Sequence, residues 1–174
     1  MKKLIITLSI FSCILTQCAA QTKIQDGEIK AKHATYSVKK STTDFGKGKP
    51  FHIFSLKNKY EHGIPRPRAG ALPILKSDFH VNEDQIKTIV YDVLGNKIKE
   101  LHNHNETFSV WFVFETTGEL TDINYSLQEN TIITTQEIDA IDVRLRAEVK
   151  ATFTGRDYQN YKAVNYPYFK PVIF

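Results

Sequence analysis

The chain has 174 residues, 41% apolar, 24% charged and 11% aromatic, a composition that excludes a disordered, collagen-like or disulfide-dense protein. Eleven Phe and eight Tyr against a single Trp supply ample bulk for one core. The formal charge of +4 is too small and too scattered for a nucleic-acid surface.

Lys2 and Lys3 make a short basic start, and residues 4–15 are nearly all apolar. This is the pattern of a secretory signal peptide, and the run is too short to span a bilayer as a helix. Cys18-Ala19-Ala20 offers the small side chains a signal peptidase needs, so the mature chain is expected to begin at Gln21. The alternative makes Cys18 a lipidated first residue; Leu15 fits that reading, but bulky Gln17 stands where Gly, Ala or Ser is expected. Loss of residues 1–20 removes two lysines and both cysteines, Cys13 and Cys18, and lowers the charge to +2. The expectation is an exported protein, periplasmic or secreted, thiol-free after cleavage and with no transmembrane helix in the mature chain; the alternative is a lipoprotein anchored through Cys18.

Residues 28–39 alternate with a phase slip at His33-Ala34, as at a bulge in one strand. A connection holding Gly46-Lys47-Gly48 leads to a second strand at 51–56; it lacks the remaining residues of a phosphate loop. Residues 60–80 form a long irregular stretch with Pro65, Pro67 and Pro73, which is either functional or wraps the surface. Asn82 is an N-cap with Gln85 three residues on, and apolar residues then recur from Ile86 to Leu101 at helical spacing. Continuous phase across Gly95-Asn96 favours one bent helix over a stop at Leu94.

Residues 108–115 are apolar on both parities, which predicts a central strand covered at least partly on each side. Thr117-Gly118 makes a turn into a strand at 120–127, with Ile123, Tyr125 and Leu127 inward and Asp122, Asn124 and Ser126 toward water. A second helix is predicted over 135–152, capped by Thr134 or Thr135 and ended by Gly155. Pro167 and Pro171 mark the last segment as an edge strand, with Val172 and Phe174 docked. The order is β-β-α-β-β-α-β: one α+β domain over 21–174, with a mixed or antiparallel sheet and two helices. Residues 21–107 form the less regular half and 108–174 the β-β-α-β half.

Val110-Trp111-Phe112-Val113-Phe114, Gly118, Asp122-Ile123-Asn124-Tyr125, the helix from Ile138 to Val149 and the final Val172-Ile173-Phe174 follow one another as strand, turn, strand, helix and strand. In this order residues 108–174 resemble the C-terminal domain of TonB and its wider TonB-C-like family. The family's Tyr-Pro pair before the first strand is absent, and residues 149–153 stand where it has Trp-x-Phe-x-Pro. The resemblance implies a domain that pairs by strand edges with envelope partners, without the energy-transducing role. The whole chain also resembles small exported bacterial proteins.

His102, His104 and Glu106 would share one face of a strand and could hold a metal there; on a helix end the spacing fails. The competing reading is a solvated connection. Arg66 and Arg68 alternate with prolines and would splay from an extended segment toward an acidic partner, unless the loop is simply stiff. Tyr158, Tyr161, Tyr166 and Tyr168 could form a binding surface or pack under the tail. Asp139 and Asp142 are read as solvated helix carboxylates, and His33 as an ordinary surface or half-buried histidine. No nucleophile motif is present, and no cofactor is implied.

The expected function is therefore a non-enzymatic, exported interaction module of the bacterial envelope. It would bind a protein or peptide through a sheet edge and nearby loops. One alternative is a small-molecule or glycan-binding protein with a pocket at Trp111 or the C-terminal tyrosines; another is a metal-dependent hydrolase using His102 and His104.

Overall fold

The computed structural model describes residues 23–44, 48–167 and 169–174. Residues 1–22, with the expected signal peptide and Cys18, residues 45–47 and Tyr168 lie outside them.

The fold is α+β. Strands β1 (Gly27–Lys30), β2 (Thr35–Lys40) and β3 (Phe51–Ser55) form an antiparallel meander. β3 then pairs with the later hairpin, which joins both halves of the chain in one sheet. With β4 (Phe79–Val81), β5 (Thr107–Glu115), β6 (Leu120–Leu127), β7 (Ala151–Phe153), β8 (Ala163–Tyr166) and β9 (Val172–Ile173), the main sheet has the order β1-β2-β3-β6-β5-β8, and β9 also pairs with β5. Every pairing among the described strands is antiparallel, and β4 and β7 make a separate two-stranded sheet. Among the described residues no helix is long and apolar enough to cross a membrane.

Helices α1 (Glu83–Leu94), α2 (Ile98–Asn103) and α3 (Thr135–Glu148) supply the second layer. Asn82 caps α1, its side chain accepting from the Gln85 amide at 3.1 Å. The apolar phase from Ile86 to Leu101 is kept, but the chain tightens into one 3-10 turn at Gly95–Lys97 before α2, so the expected single helix becomes two. Thr134 and Glu137 form a reciprocal capping box on α3. Lys97 then bridges the tightened turn to that cap, donating to Glu137 and to the Ile132 carbonyl at 3.0 Å each.

Ile86, Ile89, Val90 and Leu94 of α1 and Ile138, Ile141 and Leu145 of α3 bury against Tyr36, Ile53, Phe108, Phe112 and Tyr125 of the sheet. Each such aliphatic side chain contributes about 1.5–3 kcal/mol by leaving water. One face of the sheet is therefore core and the other faces outward.

Four local expectations change. The slip at His33-Ala34 is a turn between β1 and β2, not a bulge: Ala31 N–H donates to the Ala34 carbonyl at 2.9 Å. That turn contains no Gly, Asn or Pro and is held by α3 instead, since Asp139 accepts from the His33 amide at 3.0 Å and from its Nδ1 at 2.8 Å. The second helix stops at Glu148, because Val149 turns extended and the β-branched and aromatic residues after it pair with β4. Gly155 follows β7 and does not end the helix. Pro167 and Pro171 lie between β8 and β9, not within one strand, and the tail is docked with Val172 and Phe174 buried.

Asp139 and Asp142 are also not solvated; both are buried on the inner side of α3. Asp139 accepts from the Tyr36 hydroxyl at 3.0 Å, and Asp142 from the Tyr125 hydroxyl at 3.0 Å and Arg146 Nε at 2.9 Å. Burial, then the nearby carboxylates, push both tyrosine hydroxyls far above their ordinary titration range. Arg146 Nη2 reaches Asn58 Oδ1 at 2.8 Å, and Asn58 in turn donates to the Ile123 carbonyl at 3.1 Å and Asn124 Oδ1 at 2.8 Å. The network thus ties α3 to the loop after β3.

Candidate functional site

The outer face of the sheet is built in rows by the strand register. Lys39, His52, Ser126 and Ser109 lie side by side across β2, β3, β6 and β5; Ser37, Phe54, Asn124 and Trp111 make the next row. At one end of the face the loop after β3 closes over β6. There buried Asp122 accepts the Lys59 and Tyr60 amides at 2.8 and 2.9 Å, and Val113 is covered. At the other end the face stays open, and Trp111 is 42% exposed. The expected two-sided cover of β5 is thus real at Val113 and missing at Trp111.

The open part is a concavity of about 390 Å³. Ser109, Ser126 and His52 form its floor, with Trp111 on one side, Thr107 and Gln128 beside it, and Gly48 and Pro50 as a wall. Gln128 Nε2 donates to the Asn105 carbonyl at 2.8 Å, which fixes the amide at the rim. The wall is held by Glu129, which accepts the Lys49 amide at 3.0 Å and pairs with Lys40. Lys40, then the Lys49 N–H, keep that carboxyl below its ordinary range. Gly48 has φ of 87°, and a Cβ there would meet Glu129 Oε2 at 2.7 Å, so only glycine fits this wall unstrained. Among the described residues His52 is the one titratable side chain lining the concavity. Among the described residues no hydrogen bond joins its ring to Ser109 or Ser126, and no carboxylate orients it, so these residues do not assemble the geometry of an activated serine. What is assembled is an aromatic platform beside hydroxyl, amide and imidazole donors and acceptors.

The other candidates fall elsewhere. His102 sits at the end of α2 and His104 just after it, both exposed, whereas Glu106 is buried; the helix-end geometry separates them. Among the described residues no three His, Cys, Asp or Glu side chains converge as a metal set. Glu106 has one oxygen without a partner, and burial raises its pKa against the bonds from Thr131, Gln128 and Ile132. Arg66 and Arg68 are exposed in the long loop, which is tied down by the Arg68 amide on the Asn160 carbonyl at 2.9 Å and the Tyr161 hydroxyl on the Leu72 carbonyl at 3.0 Å.

The tyrosines mostly pack. Tyr158 stacks on Phe153 with centroids 5.5 Å apart, Phe153 stacks on Phe79 at 4.5 Å, and Phe79 meets Tyr166 edge-on at 5.0 Å. Tyr166 is buried and its hydroxyl donates to Glu83 at 2.7 Å. Of the residues lining the open concavity, only Trp111 was singled out by sequence. His52, Ser109 and Ser126 become neighbours only through cross-strand register, although their shared outward parity was the available signal.

No family model and no curated protein matches the chain. The structure is similar to a DUF5043 family protein from Bacteroides uniformis ATCC 8492, with a TM-score of 0.59, 12% identity and 84% of each chain covered. At that identity the likeness is one of fold.

Proposed function

We infer that the protein is an exported, non-enzymatic binding module of the bacterial envelope whose ligand lies on the outer face of the sheet at Trp111. The observation that carries this reading is the open concavity with an exposed indole and a floor of serine hydroxyls and one imidazole. Ligand sites are commonly concave, largely apolar and furnished with a few converging polar groups. With serine hydroxyls, a threonine, an amide and one imidazole available, the matching ligand is a neutral saccharide. Its ring C–H face would lie on the indole, and its hydroxyls would meet the floor.

Trp111 is the only tryptophan, so its emission reports on this site alone. Titration with neutral malto-, cello- and chito-oligosaccharides is expected to give a saturable change that Trp111→Ala abolishes while circular dichroism stays unchanged. No response to any neutral saccharide would overturn the reading.

A second reading keeps the strand-edge partner implied by the TonB-C-like resemblance. It is favoured by β8, which lies at the end of the main sheet. Against it, β8 has four residues and runs into Pro167, and the opposite edge, β1, is as short and carries Glu28 and Lys30. Short, charged or proline-ended edges resist pairing. Peptide-induced NMR shifts along residues 163–166, without a change at Trp111, would select this second reading.

A further inference from the structure

The β1–β2 turn carries a basic cluster that the saccharide face does not use. Lys30, Lys32 and His33 on the turn, with Lys57 just after β3, line a separate concavity of about 340 Å³. All four side chains are exposed, and among the described residues none of the three lysines has a carboxylate partner. Elsewhere Lys40, Lys59 and Lys97 are each paired with a glutamate. Other exposed lysines among the described residues also lack a carboxylate partner; what sets Lys30, Lys32 and Lys57 apart is that they line one recess together.

The turn is also built to hold its shape. Asp139, 2% exposed on α3, takes the His33 amide and His33 Nδ1 on one oxygen and the Tyr36 hydroxyl on the other. A buried carboxylate is costly unless it is fully bonded, so the three donors fix the turn and the ring together. Because a carboxylate only accepts, Nδ1 carries the proton, and among the described residues Nε2 has no protein partner. The Leu56 amide donates to the Thr35 carbonyl at 2.9 Å, which sets Lys57 opposite the turn.

We propose that this cluster is a binding site for a phosphate or sulfate group, held by Lys30, Lys32 and Lys57 around the Asp139-anchored His33. Lysine ammonium groups are compact point charges that suit a small multivalent oxyanion. Three of them in one recess focus positive potential there, which a lone surface lysine does not do. The oxyanion is either free or the headgroup phosphate of an anionic lipid, and the two are separable by experiment.

The test is a two-dimensional amide NMR titration of the full mature chain with inorganic phosphate and with pyrophosphate, alongside sedimentation with vesicles of phosphatidylglycerol or of phosphatidylcholine alone. Saturable shifts confined to residues 30–35 and 56–58 are expected, with pyrophosphate the tighter ligand. Lys32→Ala/Lys57→Ala should weaken binding about tenfold or more, the loss of one to two charge-assisted bonds. Lys99→Ala/Lys170→Ala, which removes the same charge elsewhere, should leave it unchanged. Sedimentation only with phosphatidylglycerol vesicles, abolished by the first pair and not the second, would assign the phosphate to a lipid headgroup. Absence of saturable binding to all of these probes, or equal weakening by both lysine pairs, would overturn the proposal. Because Trp111 lies on another part of the sheet, neither outcome bears on saccharide binding there.

Discussion

Replacing Arg146 by Met would strip the guanidinium from a carboxylate that has almost no access to water. Asp142 is 1% exposed and would keep only the Tyr125 hydroxyl. The same change removes the Arg146 bonds to the Thr121 carbonyl and to Asn58 Oδ1, the latter keeping the Ile123 amide at 3.1 Å. Breaking one side of a buried pair typically costs about 3–5 kcal/mol. The Arg146 side chain is itself 19% exposed, so water reaches part of the vacated space and the lower figure applies, about 3 kcal/mol. For a domain of this size that corresponds to a fall in Tm of roughly 6–12 °C.

Urea and thermal denaturation of Arg146→Met would measure it. Adding Asp142→Asn in the same background should return about half the loss, because a neutral amide costs less to bury and its carbonyl still accepts from Tyr125. A loss below about 1 kcal/mol for the single variant, or a further loss in the double one, would refute the view that charge burial governs this site.

Burial raises the Glu106 pKa, so the folded state holds its proton to higher pH than the unfolded chain and stability falls as pH rises from the ordinary carboxylate range. Glu106→Gln should therefore be more stable than the parent at pH 7, with the gap closing below about pH 4; urea midpoints at both values check this. Tyr36 and Tyr125 are raised by burial and by Asp139 and Asp142, so they should stay protonated in the native state, and stability should fall as pH passes about 10. Tyrosinate absorbance should rise in two steps, the second coinciding with unfolding; a native protein that titrates all eight tyrosines smoothly would contradict it. Gly118 has φ of 90°, and a Cβ there would sit 2.3 Å from the Ala151 carbonyl oxygen, so Gly118→Ala should cost about 2 kcal/mol or more by urea denaturation.

The α+β class was legible because its main elements carry local signals strong enough to survive alone. Asn82 and Thr134 cap helices whose apolar spacing matches 3.6 residues, and Gly118 turns a hairpin whose arms alternate. The bounds that failed did so where a partner outvoted local chemistry. The expected helix ran on to Thr152, but Lys150 bridges to Glu119, β4 offers residues 151–153 a strand to pair with, and Phe79 offers Phe153 a ring to stack on.

The site was less legible for the same reason. Exposed Trp111 could be flagged as a large aromatic on a strand with two apolar faces, yet nothing in the order of residues says that its neighbours are Ser109, Ser126 and His52. The sequence by itself determined the helix starts, the central hairpin and the buried apolar faces, since periodicity and capping act within a few residues. The tertiary structure alone decided that a turn without turn residues would form at His33, because a buried aspartate a hundred residues away supplies the hydrogen bonds the local chain lacks. It also decided which half of an apolar strand would stay exposed, because cover comes from a distant loop and not from the strand itself.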